Sequence, residues 1–200
     1  MDIRRVQQIS ESHCGPAVLE MLLEAVGVEI DQDEVREAAQ ISEDKLEEYG
    51  MRIDQIALAS VKLAPHIHFW YKYSASLDDI RYLLSRGYAV AVEWQGLFYG
   101  SEEEESQDIG DEDLDFGHYS VVVNVDDDAD ALIIVDPYKD FADQNRIVEI
   151  PVFMHRWWDT NEVEDPYSGK KEIVEDYRVL FFVAPHWEQF PPERKFEKFL

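Results

Sequence analysis

The 200-residue chain carries 44 acidic and 18 basic side chains, a formal net charge of -26. That surplus repels nucleic-acid phosphates and anionic membranes, so nucleic-acid binding is not expected, and it favours cationic partners or a saline setting. Ten Phe, ten Tyr and five Trp exclude a disordered polar chain, and the length suits one domain with room for an insertion.

The start, MDIRRVQQ, lacks an apolar signal core, and no stretch reaches the roughly 18 apolar residues of a membrane span. The expectation is a soluble, cytoplasmic protein. In chain order, a first helix begins near Cys14, with Pro16 in its first turn and Val18, Met21, Leu22 and Ala25 at helical spacing until Gly27. Asp31 and Glu34 resemble a capping box that opens a second helix. Glu43 to Tyr49 reads as a short helix stopped by Gly50, and Ile53 to Val61 as another. His66 to Tyr73 reads as a strand. Ser76 and Asp79 cap a helix that Gly87 closes, and the run YAVAVEW, Tyr88 to Trp94, is a strand.

A polar loop at about 96–116 leads into HYSVVVNV (His118 to Val125), a turn over Asp126 to Asp130, and ALIIVD (Ala131 to Asp136). Arg146 to Pro151 and Val174 to Val183 read as two further strands, and the tail PPERKFEKFL as loosely tied down. Helices first and mostly antiparallel strands afterwards imply an α+β fold. The expected organisation is a single domain over 1–190 with a loosely ordered tail at 191–200.

The chain has one cysteine, Cys14, so no internal disulfide can form. A lone intracellular cysteine is either an inert buried side chain or a nucleophile. A helix N-terminus favours the thiolate, because unpaired amide N–H groups and the macrodipole stabilise negative charge there. A thiolate nucleophile needs an imidazole beside it, and the imidazole a third group to orient it. With the turn centred near Asp127 or Asp128, His118 lies opposite Asp136 or diagonal to it. Both then share one face of the hairpin, while Val121, Val123 and Val125 face the core. A strand-end histidine and an ordinary Asp-Pro turn are the competing reading.

Gln8 six residues before Cys14, then CGPA, GHYSVVV and IIVDPY together resemble the bacteriocin-processing, double-glycine-leader cysteine peptidases, family 39 of the papain-like cysteine peptidases. The resemblance runs from about Arg5 to Trp158. It implies a papain-like fold with N-terminal helices packed on a mostly antiparallel sheet. It also implies catalytic roles: Cys14 as nucleophile, His118 as general base and acid, Asp136 as the group orienting the imidazole, and Gln8 as a donor to the oxyanion. Gln7 is the competing donor. The best-known members are fused to a transporter with membrane and ATPase parts, which these residues do not contain, so leader-peptide export is not implied. His13 is not expected from the family and reads as incidental.

Nine acidic residues and no basic one lie between Glu102 and Asp115. That stretch reads as a solvated loop, or as a lid or guide for a cationic substrate. Carboxylates suit calcium, but their spacing does not match an EF-hand. His66 and His68 share a strand face without an apparent third ligand, His155 and His186 are scattered, and Trp157 and Trp158 read as core or rim. No cofactor or metal is expected. The functional expectation is a cysteine peptidase acting on a peptide or protein substrate, favoured by charge to be cationic. An acyltransferase or transpeptidase using the same thiolate, or a catalytically idle peptide-binding domain, are the alternatives.

Overall fold

The computed structural model describes residues 2–98, 117–164 and 169–200. Four helices come first: α1 (Cys14–Glu24), α2 (Gln32–Ala39), α3 (Glu43–Tyr49) and α4 (Ile53–Leu63). Then follow β1 (Ile67–Lys72), α5 (Leu77–Ser85), β2 (Val90–Gln95), β3 (Gly117–Asp126), β4 (Ala131–Val135), β5 (Asn145–Glu149), α6 (Ile150–Arg156), β6 (Trp158–Glu164), β7 (Lys171–Tyr177), β8 (Val179–Pro185) and β9 (Glu197–Lys198). Both expected capping boxes form, Asp31 with Glu34 at α2 and Ser76 with Asp79 at α5. Each satisfies two backbone N–H groups that a helix end would otherwise leave unpaired.

Seven strands make one sheet in the order β5-β4-β3-β2-β8-β1-β9, every neighbouring pair antiparallel. β6 and β7 form a separate two-stranded ribbon. Helices cover both faces of the sheet. Val18, Leu22, Val35 and Ile56 pack with Val121, Phe69 and Phe181 on one side, and Ile80, Leu83, Phe153 and Trp157 with Val122, Trp94 and Phe182 on the other. Burial on both faces explains why β2, VAVEWQ, is buried at every position, including its two polar residues Glu93 and Gln95.

Four expectations need correction. Pro151 does not end a strand: β5 stops at Glu149, and the proline sits in the first turn of α6, where its missing N–H costs nothing. The run from Val174 to Val183 is not one strand. Arg178, at φ 51, breaks it and passes the chain from the exposed ribbon strand KEIVEDY to the buried sheet strand VLFFVAP. The tail is held rather than loose. Glu197 and Lys198 pair with β1, the Phe199 N–H donates to Phe69 O at 3.0 Å, and Phe196 packs on the second core. The hairpin turn is centred between Asp128 and Ala129, half a position beyond the later of the two expected centres, with consequences described below. The acidic stretch from Glu102 to Asp115 lies outside the described residues.

Candidate active site

Cys14 is the first residue of α1, so its N–H is one of the four that have no intrahelical partner. The neighbouring Gly15 is dictated by packing, because a Cβ there would come within 3.2 Å of both Met51 Cβ and Ile56 Cδ1. Glycine thus lets the start of α4 approach the thiol-bearing turn. His13, read as incidental, is the N-cap residue and is fully buried. Its Nδ1 lies 2.6 Å from Ser10 Oγ, and burial lowers its pKa below the usual histidine value.

His118 and Asp136 meet at the far end of the β3–β4 hairpin, with Nε2 2.8 Å from Asp136 Oδ1. The register explains how. Counted from the turn alone, Asp126 opposite Ala131 would put the two residues on opposite faces. An irregularity between Val122 and Asn124 inserts one residue, after which Val121 faces Val135 and Val122 faces Ile134. The bulge returns His118 and Asp136 to one face, diagonal to each other. It also explains why Val125 packs with the second core while Val121 and Val123 pack with the first.

Asp136 is fully buried and accepts from three further donors: Ser120 Oγ at 3.2 Å, the Tyr138 N–H at 2.9 Å and Arg146 Nη1 at 2.5 Å. Burial is the largest single influence on its carboxyl and opposes ionisation, but the His118 charge and hydrogen bond, with Arg146 and Tyr138, outweigh it and hold the pKa at about 2. For His118, burial again pulls against charge. The Asp136 charge and hydrogen bond, then the Cys14 side chain as hydrogen-bond partner and charge, raise its pKa to about 10. The imidazole is therefore charged at neutral pH. With Nε2 committed to Asp136, Nδ1 is the nitrogen left to face Cys14. Phe98 sets its ring edge against His118, with centroids 5.1 Å apart. The Arg146 guanidinium stacks 3.8 Å over Phe141. These aromatics keep water from the ion pair, which strengthens it.

Gln8 lies close by but is differently employed. Its backbone N–H donates to Pro137 O at 2.9 Å, tying it to the turn after Asp136. Its side-chain Nε2 donates to Ser10 O at 2.8 Å and Glu11 O at 3.0 Å, while Oε1 is buried without a partner. The amide hydrogens thus brace the loop that delivers Cys14. Gln7 is exposed, and its carbonyl accepts from Gln32 Nε2.

Cys14 opens onto a cleft of about 850 Å³. One wall comes from the start of α1, from α3 and from the start of α4; the other from Gly117 and Tyr119 of β3 and from the β6–β7 ribbon. Behind the second wall are buried groups that the sequence reading passed over. Tyr119 donates its hydroxyl to Glu93 at 2.6 Å, and Gln95 Nε2 donates to Asp159 at 3.0 Å. Arg146 and Ser120 were likewise missed as partners of Asp136. The available signal for Glu93 was an acid inside an otherwise apolar strand.

His68 and His186 approach to 6.4 Å between ring centroids. Among the described residues, no group of three or more His, Cys, Asp or Glu is placed to hold a metal ion, and no helix is long and apolar enough to cross a membrane. Trp157 is core and Trp158 is partly exposed rim.

Residues 1–165 match the model described as the Peptidase_C39 like family. The peptidase domain of Streptococcus ComA, described as a bi-functional ABC transporter involved in quorum sensing, has a TM-score of 0.58 at 20% identity, covering 92% of this chain and 98% of that one. A C39-like peptidase from Bacillus anthracis has a TM-score of 0.60 at 16% identity, again covering 92% of this chain and 98% of that one. No curated protein matches. At these identities the likeness is one of fold, and it is the papain-like peptidase fold expected from the sequence.

Proposed function

The chain belongs to the Peptidase_C39 like family, and from that premise we propose that it is a cysteine peptidase whose Cys14, His118 and Asp136 cleave a peptide bond. Family and fold support a cysteine-peptidase-like function. The assignment of the individual residues is ours, and it rests on one observation: the His118 ring is bonded to Asp136 through Nε2 and stands near enough to Cys14 for the cysteine side chain to help raise its pKa.

In this reading the Cys14 thiolate attacks the substrate carbonyl, forming the C–S bond and a tetrahedral oxyanion. The Cys14 N–H at the start of α1 is one oxyanion donor. His118 gives its proton to the leaving amine as the C–N bond breaks, which releases one product and leaves a thioester. His118 then takes a proton from water as the water oxygen attacks the thioester, and the acid product leaves with the thiolate restored. Asp136, kept ionised by His118 itself with help from Arg146, holds the ring in the orientation that serves both transfers. Gln8 joins the oxyanion donors by exchanging Ser10 O or Glu11 O for the oxyanion.

The occupied Gln8 amide favours a second reading, a peptide-binding domain without turnover. An acyl transfer in which an amine replaces water uses the same thioester. Incubating the protein with a peptide library and analysing the products by mass spectrometry, with and without added amine, separates all three. Hydrolysis products that disappear in Cys14→Ala support the proposal. Products from Cys14→Ala at the wild-type rate, or none from the wild type, would refute it.

A further inference from the structure

His13 stands immediately before Cys14, and the proposed reaction does not use it. It is fully buried at the N-cap of α1. An N-cap side chain is favoured when it accepts from the N–H groups of the first turn, yet His13 makes no such bond. Its ring turns instead to the loop before the helix, with Nδ1 2.6 Å from Ser10 Oγ. Nε2 is buried without a hydrogen-bond partner and lies 4.0 Å from Glu43 Oε1 at the start of α3. Burial lowers the His13 pKa, so the ring is neutral near pH 7 and one nitrogen carries the hydrogen. The tautomer with that hydrogen on Nε2 puts it on the nitrogen that the Glu43 carboxylate approaches, and leaves the Nδ1 lone pair to accept the Ser10 hydroxyl.

Ser10 joins His13 to Gln8. Its hydroxyl meets the His13 ring, and its carbonyl accepts from the His13 N–H at 3.2 Å and from Gln8 Nε2 at 2.8 Å. The other hydrogen of the Gln8 amide goes to Glu11 O at 3.0 Å. The two acceptors differ in setting. Glu11 is exposed and lines the cleft beside Ser12 and Cys14, whereas Ser10 is clamped by a buried ring. An amide that keeps its bond to Ser10 O and releases Glu11 O frees an N–H on the cleft side.

We propose that His13 is a positioning residue: it fixes Ser10 as the pivot of the Gln8 amide, so that one amide hydrogen stays anchored while the other passes from Glu11 O to the oxyanion. The role rests on the proposed function for Cys14 as nucleophile and Gln8 as oxyanion donor, and adds to it a residue and a choice between two bonds. Donors of this kind serve only when held within about 0.5 Å of the productive place by locked neighbours. Ser10 sits in a loop between exposed Ile9 and Glu11, so the buried ring supplies the rigidity that the loop lacks. No atom of His13 touches the substrate.

Two reagents separate this role from a merely structural one. Iodoacetamide alkylates a thiolate by displacement at a saturated carbon and forms no oxyanion. p-Nitrophenyl acetate acylates it through a tetrahedral oxyanion, transferring its acetyl group to Sγ and releasing p-nitrophenolate. Both act on the full chain with its one cysteine, and mass spectrometry confirms the site. The ratio of acylation to alkylation rate constants at neutral pH therefore reads the oxyanion donors. Gln8→Ala should lower the ratio by about tenfold or more, and His13→Leu and Ser10→Ala by roughly five- to tenfold, part of what an oxyanion donor carries. His13→Asn keeps an acceptor near the place of Nδ1 and is a favoured N-cap, so it should recover the ratio to within about threefold of the wild type. Added to Gln8→Ala, His13→Leu should change the ratio by less than about twofold, because residues that act through one another are not additive. Should His13→Leu fail to fold, Ser10→Ala at its partly exposed position carries the same comparison. A ratio that His13→Leu and Ser10→Ala leave unchanged while Gln8→Ala lowers it overturns this inference alone, and so do losses that multiply in the double variant. A ratio that Gln8→Ala leaves unchanged removes Gln8 from the oxyanion and overturns the inference together with that part of the mechanism. Protein that shows the expected dependences but cleaves no peptide would count against the hydrolase reading and leave this one standing.

Discussion

Replacing Glu93 by glutamine should make the protein more stable above neutral pH while leaving it little changed near pH 5. Glu93 has a folded-state pKa of about 7 against an ordinary 4.5, chiefly through burial. Between those two values the folded protein holds a proton that the unfolded chain has released, so stability falls as pH rises through the window. The displacement of about 2.5 units corresponds to roughly 3 kcal/mol of stability lost by pH 8 at about 1.4 kcal/mol per unit. Glutamine keeps the shape, can still accept the Tyr119 hydroxyl and never ionises. For a chain of this length the gain corresponds to a rise in Tm of roughly 6–12 °C. Thermal unfolding of both proteins at pH 5 and pH 8 measures it. A Tm difference that is the same at the two pH values would mean that Glu93 holds no proton in the folded state, and would refute the reasoning.

Three further substitutions probe the neighbourhood. Arg146→Met removes a guanidinium that is 2.5 Å from a fully buried carboxylate. Asp136 keeps its other donors, so the expected loss is about 2–3 kcal/mol in urea unfolding, toward the low side of what breaking a buried pair costs; a loss below about 1 kcal/mol would remove Arg146 from the account. Gln8→Ala should lower kcat by about 10²–10³ if the amide reaches the oxyanion, and a fall of less than tenfold would leave it only the role of bracing Ser10 and Glu11. Gly117→Ala puts a methyl into the Asp159 carboxylate and should cost about 1–3 kcal/mol, read by the urea midpoint. Unchanged stability would mean that the ribbon yields freely there.

The parts of this structure that were legible in the sequence are those fixed locally. The pairs Asp31 with Glu34 and Ser76 with Asp79 announce helix starts because a capping box closes within four residues. The joint appearance of His118 and Asp136 on one face was also legible, but for an incomplete reason. It depends on a bulge beyond Val122, and nothing in the repeating valines marks where a residue will be skipped. The ribbon stayed hidden because a left-handed Arg178 divides an apparently continuous strand, although KEIVEDY and VLFFVAP differ plainly in polarity. Arg146 reaches Asp136 from a neighbouring strand, a contact set by sheet order rather than by spacing. Glu93 was read as part of a strand, and its importance lies in what β6 and β7 bring against it. The six-residue spacing of Gln8 from Cys14 gave no sign that its side-chain amide donates to the backbone carbonyls of Ser10 and Glu11.

The central claim is that Cys14 reacts as a thiolate paired with a protonated His118, and the rate of Cys14 alkylation tests it most directly. The chain has a single cysteine, so loss of the thiol on treatment with iodoacetamide reports one atom. At pH 6.5, where a free thiol is almost wholly protonated, the wild type should react at least tenfold faster than His118→Ala. Equal rates for the two proteins would contradict the pairing and the mechanism built on it.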